Sequence, residues 1–194
     1  MMQDLLQTRP AQPADAEIAA VLLSSAYTHT QLTYPLPAEH EGGFIEHLQD
    51  FFRQDGNRFS YQNIQVAEYA SEVVGLVLSF GGRDEARLNA AAGNWLVNEA
   101  EDDEWYIDGV AVLKKWGRKG IGTRLLYVAE QQARQHHYPK MALNVAQENK
   151  PALDLYTHLH YVVTRHTTLY QRPYVRMVKI LANTVQENDA MAST

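Results

Sequence analysis

The sequence has no cysteine among its 194 residues. This absence excludes disulfide bonds, cysteine nucleophiles and thiolate metal sites, and it fits a cytoplasmic protein. A long apolar run and a basic-then-apolar leader are also missing, because the opening residues MMQDLLQTRPAQPADAE are mostly polar. We therefore expect a soluble, cytoplasmic protein without a membrane segment.

The sequence has fewer positively charged than negatively charged residues. The 23 acidic residues outnumber the 17 lysines and arginines, which gives a formal net charge of −6. This balance argues against nonspecific binding to nucleic acid, although it is compatible with a local basic patch. The 8 histidines do not have the spacing of a metal-ligand set, so we predict no metal site.

The residues that are present predict one domain. No internal repeat is evident, and a hydrophobic content of 45% can bury one substantial core. We place the domain at residues 1–182 and expect residues 183–194, which are polar and small, to form a disordered tail. Residues 81–104 are the least readable part, and we expect an insertion or loop there with at most a short helix.

Apolar periodicity and turn residues predict the order of the strands and helices. Strands are expected at 5–9, 64–69, 73–80, 105–113, 140–145, 161–169 and 173–181. Helices are expected at about 16–27, 43–53, 121–133 and 150–159, with a proline-containing loop at 33–37. This order predicts an α/β (α+β) domain with a single mixed, mostly antiparallel sheet of about seven strands flanked by four helices.

The stretch WYIDGVAVLKKWGRKGIGTRLL, residues 105–126, has the pattern of a strand, a glycine-bearing turn and a helix start. Such a turn offers unpaired N–H groups, positive dipole charge and close backbone access, which together suit a phosphate. The glycines do not match a P-loop. They do not match a dinucleotide fingerprint either, because Leu125 stands where its third glycine is needed.

Two motifs resemble the GNAT superfamily of N-acetyltransferases. The turn GRKGIG, residues 117–122, resembles the family's acyl-CoA loop Q/R-x-x-G-x-G/A except at its first position. The segment LNVAQENKPALDLYTHLHY, residues 143–161, resembles L-x-V-x-x-x-N-x-x-A-x-x-L-Y-x-x-x-G-F/Y. The positions of the second motif that match are Asn149, Ala152, Leu155, Tyr156 and Tyr161. The resemblance includes the order of elements and covers about residues 5–181.

This resemblance implies a GNAT-like acyl-CoA N-acyltransferase fold that moves the acetyl group of acetyl-CoA directly onto a primary amine. We expect the amine to belong to a small molecule. A peptide or protein amine is an alternative, and so is a non-catalytic acyl-CoA-binding or interaction module. A homodimer is a further expectation. By resemblance, the cofactor-binding residues are Val110, Ala111, Val112, Gly117, Arg118, Lys119, Gly120, Ile121, Gly122, Thr123, Asn149 and Tyr156.

The resemblance also implies that Tyr156 is the general acid, which would protonate the departing CoA thiolate. Its other interpretation is a core tyrosine on an apolar helix face. Asn149 is interpreted as a helix cap, a cofactor contact or both.

The general base is left open between two carboxylates. Glu104, Tyr106 and Asp108 alternate along the predicted strand and therefore share a face. A carboxylate inside an apolar strand is unfavourable unless it is paired, so Asp108 is either the base or a structural hydrogen-bonding residue. Glu104 is the second candidate, acting through a chain of water. For the acidic run 99–104 as a whole, a solvated loop is favoured over a device that attracts a cationic amine.

The sequence departs from the family pattern at two places. Gly117 and Arg118 look exchanged relative to the usual order, and a positive φ at Arg118 would cost about 1 kcal/mol relative to glycine. His160 replaces the glycine that usually ends the helix carrying Tyr156.

Overall fold

The computed structural model describes residues 5–28, 43–93 and 96–181 of the chain. Its strands are β1 (Leu6–Pro10), β2 (Ile64–Tyr69), β3 (Glu72–Gly81), β4 (Glu104–Val112), β5 (Lys140–Ala146), β6 (Val162–Leu169) and β7 (Arg172–Ile180). Its α-helices are α1 (Ala16–Thr28), α2 (Phe44–Arg53), α3 (Glu85–Ala92), α4 (Ile121–Gln135) and α5 (Lys150–His158). Each predicted strand is therefore found close to its expected position.

The strands form one sheet of 7 strands in the order β1-β2-β3-β4-β5-β7-β6. Neighbouring strands are antiparallel, with the exception of the parallel pair β4 and β5. The predicted mixed, mostly antiparallel sheet is thus confirmed. Four of the helices are the expected ones, and α3 is a further helix in the segment where the sequence allowed a short one. The loop predicted at 33–37 and the tail predicted at 183–194 lie outside the described residues.

Two apolar clusters fix helices on opposite faces of the sheet. On one face, Leu125 of α4 is buried with Val77 of β3. On the other face, Leu23 of α1 and Phe52 of α2 are buried with Leu76 of β3. Full burial of an apolar side chain of this size stabilises a fold by about 1.5–3 kcal/mol. The sheet therefore holds α1 and α4 firmly on either side of β4.

Strands β4 and β5 diverge along their length. Their parallel ladder joins only residues 104–106 to residues 140–142, although β4 continues to Val112 and β5 to Ala146. The register of β3 on β4 shifts at the same level, so that Asp108 has no partner on β3 and forms a β-bulge. A wedge-shaped opening therefore begins beside Asp108.

Each helix within residues 5–28, 43–93 and 96–181 is too short or too polar to cross a bilayer. The same residues contain no group of three or more histidine, aspartate or glutamate side chains that could hold a metal ion.

Candidate functional site

A cavity of about 150 Å³ lies in the opening between β4 and β5. It is lined by Ala26, Tyr27, Arg58, Leu96, Glu99, Tyr106, Asp108, Gly109, Val110, Asn144, Val145, Ala146, Asn149, Ala152, Tyr156, Leu169, Tyr170 and Tyr174. Of the predicted site residues, the cavity brings together Tyr156, Asp108, Val110 and Asn149. Glu104 and the turn residues 117–123 are not part of this lining.

Both ends of helix α5 position Tyr156. At the N-terminus, the Asn149 side chain accepts a hydrogen bond from the Ala152 N–H, so the predicted helix cap is present. At the C-terminus, the N–H groups of His160 and Tyr161 bond to the carbonyls of Thr157 and Tyr156, which is a Schellman motif. The motif places the Tyr161 ring edge-on to the Tyr156 ring, with the centroids 5.8 Å apart.

The Tyr156 phenol is partly buried in the cavity, and this environment keeps it protonated. Burial is the cause that raises the pKa of Tyr156 to about 12. A phenol with that pKa holds its proton at neutral and mildly alkaline pH. Because a thiol has a pKa of about 8.5, proton transfer from this phenol to a thiolate is energetically uphill and requires the two groups to be in direct hydrogen-bond contact.

His160 occupies the Schellman position that glycine favours, with φ of 68°. We expect His160→Gly to stabilise the protein by about 1 kcal/mol, because glycine reaches positive φ without a Cβ clash. Urea unfolding measures this difference. His160→Ala is the matched control, since it removes the imidazole but keeps the Cβ. A glycine variant no more stable than the alanine variant would contradict the assignment of strain.

The glycine turn before α4 presents a row of free N–H groups. Within residues 5–28, 43–93 and 96–181, no main-chain acceptor bonds the N–H groups of residues 118–123, and no side chain caps the helix at Gly120. Gly120 has φ of 78°, and Arg118 has φ of 58°, so the second turn position does require a left-handed residue. The unpaired N–H groups of the turn and of the first turn of α4, which we call the anion cradle, are available to an anion such as phosphate.

The turn lies next to the helix that carries Tyr156. A Cβ placed on Gly122 would be 3.8 Å from Leu155 Cδ2 of α5. The anion cradle and the cavity are therefore neighbouring parts of one surface, although the cradle does not line the cavity itself.

The edge of β4 that faces the opening has no paired strand beyond Tyr106 among the described residues. The Leu113 N–H bonds to the Val74 carbonyl on the β3 side. Because main-chain groups alternate sides along a strand, those of Val110 and Val112 point away from β3, toward the opening. Ala111, by contrast, is buried in the cluster on the α1 face. The main-chain groups of Val110 and Val112 thus lie at the edge of β4 that borders the opening.

Asp108 is held by two partners. Arg58 donates to both carboxylate oxygens, with Nη2–Oδ1 and Nε–Oδ2 distances of 2.5 and 3.1 Å. The Tyr27 hydroxyl donates to Oδ2 at 2.7 Å. These bonds occupy the oxygens that a general base would use, so the geometry favours the structural interpretation of Asp108.

Glu104 lies away from the cavity. It is fully buried at the start of β4, where it forms an ion pair with Arg176 and lies 3.6 Å from Lys140 Nζ. The structure does not bring this carboxylate to Tyr156, and its burial is explained by these two cations.

The sequence interpretation missed Glu99, which lines the cavity. Its Oε2 accepts hydrogen bonds from the Tyr106 hydroxyl at 2.7 Å and from Asn144 Nδ2 at 2.9 Å. The expectation of a solvated loop holds for residues 101–103, which are exposed, but it is wrong for Glu99 and Glu104. The signal that could have found Glu99 is its position just before an apolar strand that carries a carboxylate of its own.

Comparison with known proteins identifies the family of the chain. The model of the Acetyltransferase (GNAT) family matches residues 22–161. The chain belongs to the GNAT acetyltransferase family. No curated protein matches the sequence.

Solved structures agree with the GNAT assignment. An N-acetyltransferase from Staphylococcus aureus Mu50 is 26% identical, with a TM-score of 0.77 over 89% of this chain and 100% of that one. A second acetyltransferase is 24% identical, with a TM-score of 0.77 over 91% of this chain and 100% of that one. A Salmonella typhimurium protein solved with its cofactor acetyl-CoA is 16% identical, with a TM-score of 0.63 over 94% and 97% of the two chains. The GNAT fold predicted from the sequence is thus confirmed.

Proposed function

We propose that this GNAT protein is an N-acetyltransferase that moves the acetyl group of acetyl-CoA onto a primary amine of a small molecule. The observation that supports the proposal is the cavity between β4 and β5, whose lining includes both Tyr156 and Val110. Its volume of about 150 Å³ suits a small acceptor better than a folded protein segment.

The residues present fit acetyl-CoA in two places. The N–H groups of residues 118–123 suit its pyrophosphate, and Arg118 and Lys119 add positive charge beside them. The main-chain groups of Val110 and Val112 suit the amides of the pantetheine arm, which would extend the sheet as an added strand. Together these contacts would direct the thioester into the opening that contains Tyr156.

The proposed reaction is a direct transfer. The neutral amine nitrogen bonds to the thioester carbonyl carbon, and the developing oxyanion accepts a hydrogen bond from the Val110 N–H. The C–S bond then breaks, the sulfur takes the proton of the Tyr156 hydroxyl, and the nitrogen releases one proton to solvent. The products are the acetamide and free CoA, and solvent returns the proton to Tyr156.

We expect Arg118→Gly to separate stability from cofactor affinity. Removing the Cβ at φ of 58° relieves strain and should raise the free energy of unfolding by about 1 kcal/mol. Removing the guanidinium takes one charge from the phosphate cradle and should weaken acetyl-CoA binding by about two- to fivefold. Urea unfolding and calorimetric titration measure the two effects. Arg118→Lys keeps the charge and the strain, so it should leave both values close to wild type.

Thermal unfolding with and without acetyl-CoA tests the cofactor site. At a concentration one hundred times its dissociation constant, the ligand should add about 2.7 kcal/mol of stability. No shift at millimolar acetyl-CoA would refute both an enzyme and a non-catalytic acyl-CoA-binding module. A shift without release of CoA, against a panel of small amines and peptides, would favour the module.

A further inference from the structure

A cluster of buried charge surrounds Arg58 at one wall of the cavity. Arg58, Glu85, Glu99 and Asp108 have side chains that are only 2%, 2%, 8% and 6% exposed. When these groups are ionised, one cation faces three carboxylates, so the cluster has an excess of negative charge. Burying such an excess is unfavourable, and it is relieved either by a further cation or by protonation of a carboxylate; burial raises the pKa of Glu85 in this way.

An independent observation next to Glu99 also points to a hydrogen-bond donor. Asn144 Oδ1 is buried in the cavity wall and has no hydrogen-bond partner among the described residues. The orientation of this amide is fixed, because its Nδ2 donates to Glu99 Oε2 at 2.9 Å and to the Tyr106 hydroxyl at 3.1 Å. The orphaned oxygen can only be satisfied by a group that carries N–H or O–H.

The Glu99 carboxylate can also accept a further hydrogen bond. Its Oε2 accepts the two bonds from Tyr106 and Asn144, whereas Oε1 contacts Arg58 Nη2, at 3.4 Å, and no other donor among the described residues. A carboxylate has about four lone-pair positions, so Oε1 can accept a stronger bond from a ligand.

We propose that Glu99 and Asn144 form the acceptor subsite, that the acceptor enters as an organic ammonium ion, and that Glu99 takes its proton. This inference rests on the acetyltransferase function proposed above and names its substrate class: aliphatic amines whose remaining groups are neutral or cationic. Amines that carry a carboxylate are disfavoured, because they would add negative charge to the cluster. Tyr27 and Tyr170 offer aromatic walls to the cation.

The proton transfer balances with the acetyl transfer. One N–H bond of the ammonium breaks, its proton moves to Glu99 Oε1, and the freed nitrogen lone pair attacks the thioester carbonyl carbon. Glu99 is neutral after this step and returns the proton to solvent when the products leave. No oxidant, reductant or further reactant is required.

Titratable and charged groups on several elements surround Glu99 and determine the electrostatic potential at the proposed acceptor position. They are Arg58 before β2, Glu85 of α3, Tyr106 and Asp108 of β4, Tyr170 between β6 and β7, and Arg176 of β7. Burial, followed by the charge of Glu99, raises the pKa of Tyr170, so this phenol adds no charge near neutral pH. Glu99 lines the cavity, and the contact of its Oε1 with a described residue is the long one to Arg58 Nη2, at 3.4 Å.

The test compares putrescine with γ-aminobutyrate, which has the same number of carbon atoms but a carboxylate in place of the second aminomethyl group. We expect wild-type kcat/KM to favour putrescine by about 100-fold or more, which corresponds to a few kcal/mol of charge discrimination. We expect Glu99→Gln to lower kcat/KM for putrescine by about 10²–10⁴-fold and to flatten the acidic limb of its pH profile. Acetyl-CoA affinity should change little in this variant.

Glu101→Gln is the matched control. Glu101 belongs to the same acidic run, but its side chain is 54% exposed and pairs with Lys140 outside the cavity. This variant should retain wild-type activity and pH dependence. Equal activity on the two substrates, or an unaltered pH profile in Glu99→Gln, would overturn the acceptor subsite while leaving acetyl-CoA binding intact. A wild-type protein that does not bind acetyl-CoA would instead overturn the acetyltransferase function, and the subsite with it.

Discussion

Tyr156→Phe is expected to slow turnover by about 10²–10⁴-fold while leaving acetyl-CoA affinity nearly unchanged. The substitution removes one hydroxyl and keeps the ring, so the contact with Tyr161 and the Schellman end of α5 are preserved. Without the hydroxyl, the CoA thiolate must leave unprotonated or take its proton from water. The loss should therefore appear in kcat, which steady-state kinetics with release of free CoA measures.

The pH profile provides a second readout for the same residue. Because the pKa of Tyr156 is raised to about 12, its deprotonation should not limit the wild-type rate at mildly alkaline pH. Tyr161→Phe is the matched control, since it removes a hydroxyl from the ring that packs against Tyr156. Turnover by Tyr156→Phe within about twofold of wild type would refute the acid role and restore the interpretation as a core tyrosine.

Arg58→Met is expected to lower the free energy of unfolding by about 3–5 kcal/mol. The guanidinium donates to Asp108, Glu85, Glu99 and Asn89, and it lies 5.2 Å from the centroid of the Phe80 ring. Methionine keeps much of the apolar bulk but leaves buried carboxylates without their cation. Urea unfolding of wild type and variant gives the difference directly.

Arg58→Lys separates charge from geometry. Lysine keeps the positive charge but cannot bond both oxygens of Asp108 with a planar fork, so we expect a loss smaller than that of methionine. If Arg58→Met unfolds within about 1 kcal/mol of wild type, the buried cluster does not need its central cation. If the methionine variant does not fold at all, the intermediate stability expected of Arg58→Lys still tests the account.

Local patterns were enough to predict much of the fold. The alternation of apolar residues predicted β2 at its observed bounds, Ile64–Tyr69. This prediction needs only the local sequence, because alternate residues of a strand point to opposite faces of the sheet. Asn149 was predicted as a helix cap for the same reason, since a cap depends on residues within one turn. The positive φ values of Arg118 and His160 followed from the positions that glycine occupies in the family pattern.

The acceptor side of the site was not predictable in this way. Arg58 lies 27 residues from Glu85 and 50 residues from Asp108 along the chain, so no local pattern shows that they meet. The sequence indicated only a short helix at the position of α3. Its buried face includes the polar residues Glu85 and Asn89, which are buried near the distant Arg58, so the helix lacks a clear apolar pattern. The sequence indicated a buried partner only through Asp108, a carboxylate inside an apolar strand.

The proposed acetyl transfer is tested most directly by a reaction of purified protein with acetyl-CoA and putrescine. Mass spectrometry then detects the acetylated amine, and a separate assay measures free CoA. The account predicts that putrescine gains one acetyl group and that CoA is released in equal amount, with both rates greatly reduced in Tyr156→Phe. Binding of acetyl-CoA without acetylation of putrescine or any other amine in the panel would contradict it.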